Sequence, residues 1–128
     1  MPILLDHAIV PSRNAAASAR QLAGLLDVPW GQAAAGPFTA VYVNDGLTLD
    51  FIDTTEEVEV YHFCFRVSDA DFDAILGRIR SAGIPFRSTV RGEVDMKVSD
   101  YMGGRGIYWN EPDGHQWEML TVSYARQP

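Results

Sequence analysis

The chain repeats itself, and this internal repeat limits its fold more than any other feature of the sequence. His7 and His62 lie in two strand-like runs that stand 55 residues apart. A helical pattern follows each run, over Ser12–Leu26 and over Ser68–Ala82, with a serine as the expected N-cap in both cases. Because a half of about 60 residues buries little core by itself, we expect the two halves to fold as paired modules.

The second part of each half also repeats. Asp45-Gly46 and Asp113-Gly114 each predict a tight turn between two strands, because glycine tolerates a positive φ. The strands expected before these turns are Phe38–Val43 and Gly106–Trp109. Each half therefore has the order strand, helix, strand, strand, strand (βαβββ). We predict an α+β fold in which two such modules, about residues 1–55 and 58–128, form one domain over residues 1–128.

Four polar residues fall at equivalent positions of the repeat. Each half supplies one histidine from its first strand and one carboxylate from its last, which gives His7 with Asp50 and His62 with Glu118. If the halves pack with pseudo-two-fold symmetry, the four side chains converge. Two imidazoles with one or two carboxylates suit a divalent transition metal such as Fe, Mn, Ni, Co or Zn. Such a metal acts as a Lewis acid on a substrate oxygen, with Asp50 or Glu118 as the candidate general base.

Each of these residues taken alone is more often structural, and their shared register is what favours a metal site. Four further residues are candidates for a substrate pocket. Cys64 and Arg66 share the face of the second histidine, although a cysteine is often a small buried hydrophobe and an arginine often solvated or ion-paired. Tyr101 and Arg105 flank a glycine-rich connection and are expected over a nearby pocket. His115 is expected at the turn or on the surface.

Composition excludes several classes of partner. The formal net charge is −7, Lys97 is the only lysine, and no basic cluster is present, which argues against nucleic acid binding. No apolar run approaches the roughly 20 residues of a membrane helix. The run Met1–Asp6 is too short for a signal peptide, and a lone cysteine forms no internal disulfide, so we expect a cytoplasmic protein.

Three segments give the chain a resemblance to the vicinal oxygen chelate superfamily, which includes glyoxalase I, bleomycin-resistance proteins, extradiol dioxygenases and fosfomycin-resistance transferases. The segments are Asp6–Val10, Tyr61–Phe63 with Ser68–Phe72, and Gly106–Glu118. The resemblance implies a cupped mixed sheet of half-barrels, helices outside, and a homodimer. It also implies a metal held by His7, His62 and Glu118, with Asp50 where glyoxalase I carries a fourth ligand. In this superfamily the site is built from one chain or shared between subunits.

The resemblance leaves more than one function open. The leading interpretation is a metal-dependent enzyme of the lyase, isomerase or transferase type that acts on a small oxygenated substrate. The alternative is a bleomycin-resistance-like protein that sequesters a hydrophobic or cationic drug without catalysis, whose affinity should survive chelation. A third interpretation is a catalytically silent dimeric scaffold, which would show no ligand-dependent shift in melting temperature.

Overall fold

The structure, a computed structural model, describes residues 3–126 and has the α+β architecture that the repeat predicts. Met1 and Pro2, part of the run judged too short for a signal peptide, lie outside the described residues. The chain divides into two compact units, Met1–Glu59 and Val60–Pro128. Each unit holds one helix and one open mixed sheet. Over residues 3–126, no helix combines the length and apolar character that crossing a membrane requires.

The first unit has the predicted βαβββ order. Its elements are β1 (His7–Ser12), α1 (Ala15–Leu26), β2 (Trp30–Gln32), β3 (Thr39–Asn44) and β4 (Leu47–Asp53). The strand order in the sheet is β1-β4-β3-β2, with β1 parallel to β4 and the other neighbours antiparallel. The two residues Asp45 and Gly46 connect β3 to β4 directly, which confirms the predicted turn.

Helix α1 begins later than predicted. The N-cap is Asn14, whose Oδ1 accepts the backbone N–H of Ala17 at 3.1 Å, so the predicted start at Ser12 is wrong. Strand β1 continues through Ser12, and the Ser12 hydroxyl forms a buried 2.7 Å hydrogen bond with that of Ser18. The buried face of the helix, rich in alanine and leucine, packs on β3 and β4.

The second unit has a similar order of elements but one strand fewer in its sheet. Its elements are β5 (His62–Arg66), α2 (Asp69–Ser81), a 3-10 turn (Tyr101–Gly103), β6 (Gly106–Asn110) and β7 (Gln116–Leu120). The strand order is β5-β7-β6, with β5 parallel to β7. Isolated bridges replace the strand expected before β6, and in one of them Arg87 and Tyr108 exchange two 2.9 Å backbone hydrogen bonds. Pro85 lacks an N–H donor, which limits any longer ladder here.

Helix α2 follows its sequence signals closely. The Ser68 hydroxyl accepts the N–H of Asp71 at 3.1 Å, which confirms the predicted N-cap. Acidic residues in its first turn and arginines in its last turn complement the helix dipole. The four apolar side chains at helical spacing are all buried: Phe72, Ile75, Leu76 and Ile79. The helix ends at Ser81, and Gly83 follows with a φ of +69° that is unfavourable for other residues.

Candidate functional site

Both units place a histidine and a carboxylate in the same relative register. In the parallel pair β1/β4, Asp50 lies opposite the residue two positions after His7. In the parallel pair β5/β7, Glu118 lies opposite the residue two positions after His62. Residues two apart on a strand point to the same face, so each unit carries a diagonal imidazole–carboxylate pair on one face of its sheet.

The pair in the second unit is in contact. His62 Nε2 lies 3.1 Å from Glu118 Oε1. The Glu118 side chain is only 2% exposed, whereas that of His62 is 42% exposed. The hydroxyl of Tyr124 donates to both carboxylate oxygens, at 2.8 Å to Oε1 and 2.6 Å to Oε2. These contacts offset much of the cost of burying a carboxylate, which is high when the group has no partner.

Two tyrosines complete the surroundings of Glu118. Tyr108 on β6 is its cross-strand neighbour, and the Tyr108 ring stacks on His62 with ring centroids 6.2 Å apart. The Tyr108 and Tyr124 hydroxyl oxygens are 3.3 Å apart. Burial raises the pKa of both phenols, and the hydrogen bond to Glu118 raises that of Tyr124 further. Both hydroxyls therefore keep their protons at neutral pH.

Cys64 and Arg66 border a cavity of about 290 Å³ beside this pair. Both lie on the strand face of His62, as the alternation predicts, and both residues are exposed. Although Cys64 is exposed, its thiol is partly desolvated next to Glu118. Desolvation, followed by the negative charge of Glu118, raises the pKa of this thiol to about 12, so it is not a thiolate at neutral pH.

A second cavity of about 230 Å³ lies on another side of Glu118, and Tyr101 and Arg105 help to line it. Tyr101 is 65% exposed, and its ring makes an edge contact with that of Tyr124, with centroids 5.5 Å apart. The Arg105 guanidinium donates to Asp69 at 3.0 Å and to Asp73 at 2.6 Å. Arg105 therefore ties the wall of the cavity to the first turns of α2.

The pair in the first unit is more open. The His7 side chain is 57% exposed, and its Nδ1 lies 2.8 Å from Asp6 Oδ2. This hydrogen bond is the main cause that raises the pKa of His7, and the charges of Asp6 and Asp50 add to it. Over residues 3–126, neither unit gathers three histidine, cysteine, aspartate or glutamate side chains into one cluster. The structure thus brings two of the four predicted ligands into contact, His62 and Glu118.

His115 lies in the connection between β6 and β7, as the turn alternative expects, but the surface alternative is wrong. The residue is fully buried, and its Nδ1 accepts the backbone N–H of Tyr61 at 2.9 Å. Its ring lies against those of Tyr61 and Trp117, at 5.5 and 6.0 Å between centroids. The connection between β6 and β7 has five residues rather than a two-residue turn, and it folds back so that Glu111 accepts the N–H of His115.

Two residues of the site were not identified from the sequence, Tyr108 and Tyr124. For Tyr108 a signal existed, because pairing the strands on either side of the Asp113-Gly114 turn places it near Glu118. For Tyr124 no signal existed, since it follows the last strand and belongs to no periodic pattern.

Comparison with solved structures finds close relatives. Two proteins described as oxidases, ChaP-H2 and ChaP-H1, are each 37% identical to this chain. The alignment with ChaP-H2 covers 98% of both chains with a TM-score of 0.91, and that with ChaP-H1 covers 98% of this chain and 100% of the other with a TM-score of 0.90. The fosfomycin resistance protein FosX from Mesorhizobium loti is 22% identical over 97% and 96% of the two chains, with a TM-score of 0.70, and shows the fold alone.

A scan against protein-family models gives no match, and a search of the curated proteins gives none either. The relatives at 37% identity nevertheless define the class, since they align with nearly the whole chain. The chain belongs to the vicinal oxygen chelate superfamily, with the fold of the glyoxalase, bleomycin-resistance and fosfomycin-resistance proteins. The resemblance inferred from its strand motifs is confirmed.

Proposed function

We propose that this protein is a metal-dependent enzyme that oxidises a small oxygenated molecule. The observation that carries the proposal is the 37% identity, along 98% of the chain, to two proteins described as oxidases. This likeness favours oxidation over the lyase, isomerase and transferase chemistries that the sequence alone suggested.

The donor atoms of the second unit fit a divalent metal. Two ligands at right angles on a cation, with bonds of about 2.1 Å, stand about 3 Å apart. His62 Nε2 and Glu118 Oε1 are separated by 3.1 Å, so both atoms can bind one ion without moving apart. A buried carboxylate is also a common partner of a cation. An imidazole with a carboxylate suits Fe, Mn, Co, Ni or Zn.

His7 is the proposed third ligand, with Asp50 as a candidate fourth. The register that His7 and Asp50 share with His62 and Glu118 supports this assignment. The contact between Asp6 and Nδ1 of His7 supports it too, because ligating histidines usually bond a carboxylate through the nitrogen that does not face the metal. We propose that the first unit of the same chain, or of a second copy in a homodimer, supplies His7.

The remaining side chains have roles of their own in this proposal. A divalent metal at this site would supply Lewis-acid activation of a substrate oxygen and, if redox-active, would pass electrons from the substrate to dioxygen. The two cavities beside Glu118, of about 230 and 290 Å³, are smaller than the pockets of drug-sized ligands, which favours a small substrate. Tyr108 is a protonated hydrogen-bond donor for a substrate oxygen, and Arg66 offers a positive charge at the cavity edge. Glu118 or Asp50 accepts the proton of a substrate hydroxyl.

The experiment combines metal analysis with oxygen uptake. The purified protein should hold about one divalent metal per site by mass spectrometry. After reloading with Fe(II) or Mn(II), it should consume dioxygen with one of a panel of small phenols and hydroxyketones. His62→Ala and Glu118→Ala should lose both the metal and the oxygen uptake. Glu57→Ala, which removes an exposed loop carboxylate, should lose neither.

Two outcomes would contradict the proposal. If the metal binds but no substrate causes oxygen uptake, oxidation is wrong and the lyase, isomerase or transferase chemistry is favoured. If no metal binds and a drug such as bleomycin is retained in the presence of a chelator, the protein is a sequestering module rather than an enzyme.

A further inference from the structure

We propose that the Tyr124 hydroxyl is a gate on Glu118, which a metal ion has to displace before the carboxylate can bind it. Because Glu118 is taken as a metal ligand, this role rests on the proposed function. The gate gives Tyr124 a role in the metal site and predicts how metal loading is controlled.

The gate is defined by how the hydroxyl lies on the carboxylate. One O–H group faces both oxygens, at 2.8 Å from Oε1 and 2.6 Å from Oε2 of Glu118. It therefore occupies the space in front of the two oxygens, where a cation bound to both of them would also lie. His62 Nε2 lies 3.1 Å from Oε1 of Glu118, and the Glu118 side chain is 2% exposed. An ion that binds both carboxylate oxygens and His62 therefore has to displace the phenol.

The surroundings of Tyr124 allow it to give way. The residue follows β7 in a segment, 121–126, that has neither helix nor strand. Thr121 anchors the start of this segment through its N–H to the carbonyl of Arg105, and the N–H of Ala125 bonds within the segment to Ser123. Tyr124 is 40% exposed and lines both cavities beside Glu118. The ring contacts that of Tyr101 and borders the open space of both cavities, into which it can rotate.

A positioning role gives the opposite prediction. If the hydroxyl only held Glu118 in a conformation that binds metal, its removal would weaken metal affinity. If it competes with the metal, its removal strengthens that affinity, because the ion no longer has to break a hydrogen bond to a charged group. The sign of the change therefore separates a gate from a positioning residue.

The test is a titration of Co(II) alone into the Tyr124→Phe variant and into the unaltered protein. The visible absorption of the ion, measured in the presence of a competing chelator, gives the affinity of each protein for Co(II). Phenylalanine keeps the ring and removes only the hydroxyl, at a residue that is 40% exposed. We expect Tyr124→Phe to bind Co(II) about tenfold tighter, equivalent to about 1.4 kcal/mol. Tyr61→Phe removes a hydroxyl from a ring that packs on Phe63 and His115, and it should leave the affinity unchanged. Glu118→Ala should abolish binding.

The rate of loading gives a second readout. In the unaltered protein the rate should level off at high Co(II), because the phenol must leave first, whereas in Tyr124→Phe it should keep rising with concentration. Equal or weaker affinity in Tyr124→Phe overturns the gate but leaves the metal site standing. Failure of both proteins to bind Co(II) overturns the proposed function and the gate with it.

Discussion

Glu111 is a second buried carboxylate of the second unit, and its chemistry differs from that of Glu118. It is 4% exposed, and its Oε1 accepts the backbone N–H of His115 at 3.1 Å. Burial raises its pKa above the ordinary value of 4.5. The folded protein therefore holds this proton more tightly than the unfolded chain does. Its contribution to stability is present below pH 4.5 and is lost as the pH rises through the higher folded pKa.

The effect of Glu111→Gln on the stability of the folded protein should accordingly become more favourable as the pH rises. The glutamine keeps an oxygen acceptor for the N–H of His115 and removes the charge that burial disfavours. We expect the melting temperature of the variant, relative to the unaltered protein, to be higher at pH 7 than at pH 4. Glu111→Ala leaves a buried N–H without its acceptor and should cost about 1–3 kcal/mol at both pH values. A Gln variant that loses relative stability between pH 4 and pH 7 would contradict this account.

At the scale of single residues, the sequence predicts what strand alternation and the repeat encode. His62, Cys64 and Arg66 lie on one face because alternate residues of β5 do so, and Glu118 joins them because β7 pairs with β5. Tyr124 was not predictable, since it reaches Glu118 from an irregular segment whose course depends on tertiary contacts. The burial of His115 was missed for a similar reason, because it depends on how a five-residue connection folds back.

Among the elements, helix α2 is followed by one glycine, Gly83, and contains another, Gly77, and the two affect its stability in opposite ways. Gly83 follows the helix with a φ of +69°, a conformation in which a Cβ is strained. Gly77 lies in the exposed interior of the helix, and a Cβ built there would have no heavy atom within 4 Å. The first glycine therefore suits its position, whereas the second leaves the helix less stable than an alanine would.

Alanine substitutions at these two positions should change stability in opposite directions. Gly83→Ala should lower the free energy of unfolding by about 1–2 kcal/mol, the cost of a left-handed conformation. Gly77→Ala should raise it by about 0.5–1 kcal/mol, because alanine loses less backbone entropy in a helix. Urea unfolding followed by circular dichroism measures both, and each variant is the control for the other. Changes of the same sign would show that the end of α2 is not as described.

Element boundaries were predictable where local chemistry decides them. The N-cap at Ser68 and the Asp45-Gly46 turn follow from residues that satisfy their own backbone geometry. The start of α1 was wrong because β1 extends to Ser12 in order to pair with β4, a non-local effect. The missing strand near Arg87 has the same origin, since a ladder needs a partner over several residues and the segment before β6 forms only isolated bridges, at Arg87 and Ser99.

For the whole molecule, the sequence predicts the class of fold but not the assembly of a metal site. The repeat and its turns were sufficient to predict the α+β fold, and the structure has two units, each with one helix and one mixed sheet. A ligand set that draws His7 from one module and His62 from the other depends on how modules associate, within a chain or between copies. No local pattern encodes that association, so it calls for a measurement on the intact protein.

Thermal unfolding with and without a metal tests whether both modules supply ligands to it. A ligand that binds only the folded state stabilises it by about 2.7 kcal/mol at a free concentration one hundred times its Kd. We expect Co(II) in excess to raise the melting temperature of the unaltered protein. His7→Ala, which changes an exposed side chain of the first unit, should remove most of this increase if both modules supply ligands.

The carboxylate of the first unit can be tested in the same way. Asp50→Asn replaces a ligand by a weaker one at a half-buried position of β4 and should reduce the Co(II)-dependent increase if Asp50 is the fourth ligand. Asp45→Asn makes the same chemical change in the exposed β3–β4 turn and should leave the increase intact. A full increase in His7→Ala would mean that the second unit binds the metal without the first, and the symmetric site that the repeat suggests would then be wrong.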